Sequence, residues 1–238
     1  MIKRFKHRSS ISLLLALGAG NYSVANADVL HIDAGLSTGR FVDGFIVTDE
    51  KPIAFLSADW SFNNGLFTGA NCYQSSSERG RGESLSRGCH AYLGYFTQIN
   101  DTQALTFELR HKRYLVDTGL FWTDNEATIN WHINRNLTFS ATGNDNWLDR
   151  GHATLGLRGD YVKPLNNEWS AYLSAGVMQF EETSEIGTTE HFEFGVKYQR
   201  QRWGAELSAI FSDHELGDLI MLDTSQNQLK LTVSYRLY

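Results

Sequence analysis

The chain has 238 residues, 42% apolar, 20% charged and 13% aromatic, with a formal charge of −6. That length makes one domain the default, and the apolar fraction excludes a disordered chain. No segment beyond the N-terminus approaches 18 consecutive apolar residues and no 3.6-residue period is sustained, which excludes a helical membrane protein and a helical bundle.

The N-terminus reads as a targeting segment. Lys3, Arg4, Lys6 and Arg8 form a basic region, residues 11–20 a short apolar run, and Ala25-Asn26-Ala27 a small-x-small cleavage site. We expect a signal peptide over residues 1–27, cleaved after Ala27, and a single barrel domain over 28–238. The first 27 residues carry four of the 21 Lys and Arg and none of the 27 Asp and Glu, so the remainder has a formal charge of −10. So acidic a surface argues against nucleic acid or an anionic membrane surface as a partner.

From residue 29 onward one pattern recurs: about ten residues of two-residue alternation, then a polar break. In the first segment Leu30, Ile32, Ala34 and Leu36 share one face and His31, Asp33 and Ser37 the other. Near 54–61, Ala54, Leu56, Ala58 and Trp60 oppose Ser57 and Asp59. Further segments fall near 66–74, 89–98, 103–111, 127–133, 137–144, 153–161, 169–177, 192–198, 203–211 and 229–237. Twelve such segments have the length of tilted membrane-spanning strands.

The connections alternate as well. Short breaks at 63–65, 100–102, 134–136, 164–167 and 200–202 are interleaved with longer polar stretches near 38–52, 75–88, 112–125, 145–151, 181–190 and 212–227. Short periplasmic turns and longer extracellular loops are the organisation of a closed antiparallel β-barrel of the Gram-negative outer membrane. A soluble β-sandwich also alternates. It is disfavoured because none of the twelve apolar faces carries a charge, and because Trp60, Trp169, Trp203 and Tyr198 gather beside the short turns, where an interfacial girdle belongs. The chain ends in an alternating strand, VSYRLY, in which Leu237 is in phase with the apolar face and Tyr238 lies one residue beyond.

The segment TDEKPIAFLSADW, continuing as SFNNGLFTGANCY and preceded by STGRFVDGF, resembles the amino-terminal signature of the TorF-type porin family. There a first strand ends in a short Arg-Gly loop, a Lys/Pro-led second strand follows, and a tight turn leads to an aromatic-Gly third strand. The resemblance covers roughly residues 30–75, with Arg40-Phe41-Val42-Asp43-Gly44 in place of a clean aromatic-Arg-Gly triplet. It implies a diffusion channel and names no solute.

Cys72 and Cys89 flank the loop SSSERGRGESLSRG. Pairing 72 with 89 also pairs 70 with 91, 68 with 93 and 66 with 95, which keeps the apolar face in register. The periplasm permits a disulfide, and closing a loop of about 18 residues contributes roughly 3 kcal/mol in the chain-entropy model.

The polar face carries the candidate functional residues: His31, Asp33, Asp59, His90, Glu108, Arg110, His132, His152, Arg158, Asp160, Glu193, Lys197, Glu206, Lys230 and Arg236. No Gly-x-Ser-x-Gly, His-Glu-x-x-His or Gly-rich phosphate loop is present, and no two histidines stand at ligand spacing, so we expect no catalytic site, no cofactor and no metal. Twelve strands lie between the filled eight-stranded barrel and the open 16–18-stranded porin, so an open bore would be narrow. The expected role is an outer-membrane channel for passive diffusion of small polar solutes. The alternative is a packed, non-conducting barrel that binds a partner, with loop 75–88 (Glu78, Arg79, Arg81, Glu83, Arg87) as its most charged surface. The expected partners are outer-membrane lipid, the barrel-assembly machinery during insertion, and those solutes.

Overall fold

Two-residue alternation of Leu, Ala and Phe with Ser, Thr and charged residues favours extended backbone, because successive side chains then leave on opposite faces of a sheet. A computed structural model describes residues 28–39, 41–42, 45–46, 52–75, 85–116, 121–146, 153–181, 186–214 and 227–238. The expected signal peptide and His152 lie outside these residues.

The described elements are all β: β1 (Val29–Ser37), β2 (Phe41–Val42), β3 (Phe45–Ile46), β4 (Ile53–Ser61), β5 (Leu66–Ser75), β6 (Leu85–Asn100), β7 (Gln103–Val116), β8 (Phe121–Ile133), β9 (Leu137–Asn144), β10 (Thr154–Pro164), β11 (Trp169–Glu181), β12 (Ile186–Arg200), β13 (Trp203–His214) and β14 (Asn227–Arg236). Twelve of them, β1 and β4 to β14, pair antiparallel with their chain neighbours. β1 pairs with β14 as well, so the sheet closes on itself. Closure leaves no free edge, which is what a β structure in lipid requires. Following the ladder once around returns to β1 displaced by about 16 residues, which tilts the strands by roughly 45° to the barrel axis.

Five tight turns share one rim, each within a residue of its expected place. In the first, Gly65 has φ +89°, the left-handed region where a side chain is strained, and Phe62 N donates to Leu66 O at 2.8 Å. Asn134 and Gln201 take φ 55° and 51° in two others. The last residues finish the closing seam. Leu237 N donates to Ile32 O (2.7 Å) and Ile32 N to Tyr238 O (3.1 Å).

At the opposite rim the strands outrun the sequence reading. The stretch 112–125 was expected to be a loop, yet β7 runs to Val116 and β8 starts at Phe121. β11, β12 and β6 likewise reach into 181–190 and 75–88, and β2 and β3 form a small hairpin inside 38–52. The reason is that pairing continues past the apolar band. Outward positions there are polar, as with the exposed Arg113 and Glu190, so the alternation that marks a strand fades while the ladder does not. Beyond β9, Asn125 donates through N and Nδ2 to the Asp145 carboxylate (2.9 and 2.8 Å) and holds it below the usual carboxylate range.

Burial is inverted relative to a soluble protein. Leu229 is 70% exposed and Leu155 56%, whereas Glu193 is 1% and Thr106 0% exposed. The outward apolar belt ends at the tight-turn rim in aromatic contacts: Trp60–Phe62, Trp169–Tyr198 and Trp203–Tyr235, all with centroids 4.9 Å apart, and Trp131–Phe139 at 6.2 Å. Exposed apolar wall, closed sheet and aromatic rim together make this a transmembrane barrel.

Candidate functional site: the barrel interior

Each barrel strand turns its alternate residues inward, and among the described residues those positions hold eight carboxylates and six bases. On β7 and β8, Arg110 pairs with Glu108 and, at 3.8 Å, with Glu126. Lys112 pairs with Glu126 and, at 3.8 Å, with Asp124. Across the interior, Lys230 of β14 sits 3.1 Å from Glu193 and 3.0 Å from Glu206, and Lys197 lies 3.4 Å from Glu206. The Tyr172 hydroxyl lies between the same carboxylates, 2.8 Å from Glu193 Oε1 and 3.0 Å from Glu206 Oε1, and donates its one proton to either. Lys197 Nζ stands 4.5 Å over the Tyr172 ring. Two smaller pairs complete the set: Arg158–Asp160 at 2.8 Å, and Arg236–Asp33 at 3.3 Å along the seam.

Hydroxyls and histidines fill the spaces between. His132 accepts or donates at both ring nitrogens, with Thr106 Oγ1 at 2.9 Å and Thr138 Oγ1 at 3.0 Å. His90 meets Tyr114 edge-on at 5.4 Å and Tyr73 at 6.4 Å.

Aromatic rings interlock with inward glycines. A Cβ on Gly94 would overlap the Phe67 ring, one on Gly88 the Tyr73 ring, and one on Gly195 would come within 2.8 Å of Tyr172 Cε1. Each glycine faces its aromatic across one ladder, so the missing side chain is the space the ring occupies.

Fourteen of the fifteen residues expected on the inner face fall within the described residues. Alternation and register turn all fourteen, from His31 to Arg236, towards the interior. They do not gather at one point: ten divide among the four clusters above, with His31, His90, His132 and Asp59 apart from them. Lys112, Tyr114, Asp124 and Glu126 lie in or beside the stretch 112–125 that reads as loop, and His191 beside the stretch 181–190, while Tyr92 and Tyr172 lie on polar strand faces but are neutral phenols among residues picked out for ionisable groups. The signal was available, since 108, 110, 112 and 114, and likewise 124 and 126, continue in phase. Cys72 and Cys89 are disulfide-bonded, Cα atoms 4.1 Å apart, in the expected register and on the outward face. Among the described residues no group of three or more His, Cys, Asp or Glu is placed to hold a metal ion.

Solved structures share this architecture. The NanC porin matches with a TM-score of 0.54 and 11% identity over 88% of this chain and all of that one. The KdgM porin in complex with disordered oligogalacturonate matches with a TM-score of 0.53 and 11% identity over the same shares. The fold is that of an outer-membrane porin. No protein-family model and no curated relative matches the chain.

Proposed function

We propose that the barrel is an outer-membrane channel for passive diffusion of small hydrophilic solutes through a narrow lumen of mixed charge. The observation that carries this is an interior in which, among the described residues, buried ionic, hydroxyl and amide side chains outnumber buried apolar ones more than two to one, inside a closed twelve-stranded sheet. A core needed only for stability would be apolar, because each buried ion must first recover its desolvation cost. The fold shared with porins and the segment resembling TorF-type porins support the same reading, as does an N-terminal leader that delivers residues 28–238 to the periplasm for insertion by the assembly machinery.

The inner face favours neutral or cationic solutes. Eight inward carboxylates (Asp33, Asp59, Glu108, Asp124, Glu126, Asp160, Glu193, Glu206) face six bases (Arg110, Lys112, Arg158, Lys197, Lys230, Arg236) among the described residues. A polyanion such as the oligogalacturonate named with the KdgM porin would meet no net positive track here.

Single-channel recording of refolded protein in a planar bilayer tests the proposal. We expect discrete conductance steps with a reversal potential on the cation side of zero, moved further that way by Arg110→Ala with Arg158→Ala and back by Glu193→Gln with Glu206→Gln. Absence of conductance overturns the channel and favours a packed barrel whose outer loops, loop 75–88 foremost, bind a partner. The near-complete burial of Tyr114, Phe180 and Glu193 gives that second reading its support.

A further inference from the structure

Among the described residues, seven of the eight inward carboxylates have an ionic partner within 4.0 Å and Asp59 has none. It is only 4% exposed, near the tight-turn end of β4, and neither carboxylate oxygen has a hydrogen-bond partner. Asp33, 5% exposed, gives one oxygen to Arg236 and leaves Oδ2 unpartnered. The ladder sets Asp33 opposite Ser57 and His31 opposite Asp59, so the two aspartates are diagonal neighbours on one inner face, their backbones roughly 7–8 Å apart.

A third unpartnered oxygen points the same way. Across the other ladder Asp59 faces Gly69, and the Tyr92 hydroxyl occupies the place where a Gly69 side chain would start. Tyr92 is 4% exposed and its hydroxyl has no partner. Arg110, whose guanidinium lies 5.7 Å over the Tyr92 ring, is committed to Glu108 and Glu126.

We propose that Asp59, Asp33 and Tyr92 form an oxygen-lined site for a compact monovalent cation, either an alkali ion or the ammonium group of a solute. Two buried carboxylates at this spacing repel each other and each carries a desolvation cost, which a shared positive charge offsets. Arg236 neutralises one of the two, leaving a single negative charge to balance. The donors are all hard oxygens, which suit an alkali cation or N–H donors rather than a soft metal.

The test is thermal unfolding of the detergent-refolded barrel, followed by its β-sheet circular dichroism, in sodium, methylammonium and choline chloride at equal ionic strength. Choline is bulky and has no N–H to donate. Wild-type protein should melt about 2–4 °C higher in sodium or methylammonium chloride than in choline chloride, at concentrations several times the dissociation constant. Asp59→Asn, which removes an unpaired buried charge and so should fold, should melt alike in all three salts and no lower than wild type in choline. Tyr92→Phe should keep part of the difference. A rise in sodium alone assigns the site to alkali ions, and a rise in methylammonium to an amine-bearing ligand. Equal melting of wild type in all three salts overturns the proposal, and so does a difference that survives in Asp59→Asn. The measurement needs no conductance, so its failure is separate from failure of the channel reading.

Discussion

The two largest charge networks inside the barrel are built differently. The one around Arg110 and Lys112 belongs to a single hairpin: Arg110 is the ladder partner of Glu126 and Lys112 of Asp124, while Glu108 is two residues away on the same strand. The one around Lys230 draws on β11, β12, β13 and β14, with one ammonium and one phenol bridging two carboxylates that are not ladder partners. Each network has one half-open cation, Arg110 at 21% and Lys197 at 19% side-chain exposure, beside fully buried ions such as Lys112 and Asp124 in the first and Glu193 and Glu206 in the second. A hairpin network is complete once two adjacent strands pair. A four-strand network assembles only when three successive ladders, β11–β12, β12–β13 and β13–β14, are in register.

This difference can be broken by substitution. Lys230→Met leaves two buried carboxylates without their shared cation and should cost about 3–5 kcal/mol in denaturant unfolding of the lipid-refolded protein. Leu207→Arg, on the outward side of the same wall, places a charge in the hydrocarbon band and should cost about 2–4 kcal/mol near the midplane. Leu109→Arg should do the same outside the hairpin network, which would show that the wall is uniform where the interior is not. Tyr172→Phe removes one hydrogen bond to a charged group, worth about 1.5–3 kcal/mol. Arg110→Ala should cost least, about 1 kcal/mol, because Glu126 keeps Lys112 and Glu108 keeps some water. Equal losses for Lys230→Met and Arg110→Ala would erase the distinction.

The same contrast marks what the sequence reveals. Which face each residue takes follows from alternation alone, because period two leaves one choice once Leu155 or Leu207 is set outward. The register of β5 with β6 followed from two cysteines that had to meet. The Arg110 network was half visible through Glu108 and Arg110, two apart on one strand. Its other half lay above the apolar band, where Arg113 and Thr123 supply no hydrophobic marker. The meeting of Lys230 with Glu193 and Glu206 depends on two successive registers and on side-chain reach, neither written in any local pattern. Gly94 beneath Phe67 lies on the register the cysteines set, so only the reach of the ring was hidden, whereas Asp59 beside Gly69 depends on the β4–β5 offset, which no residue pair marks.

The disulfide has a topological consequence. Cys72 and Cys89 are ladder partners, so the covalent bond and the hydrogen-bonded ladder close the same ring. A single proteolytic nick anywhere between residues 73 and 88 would leave two polypeptides still joined at the point where the wall needs them adjacent. The nicked molecule would run as one species without reductant and as two fragments with it, and the strand order around the barrel would not change.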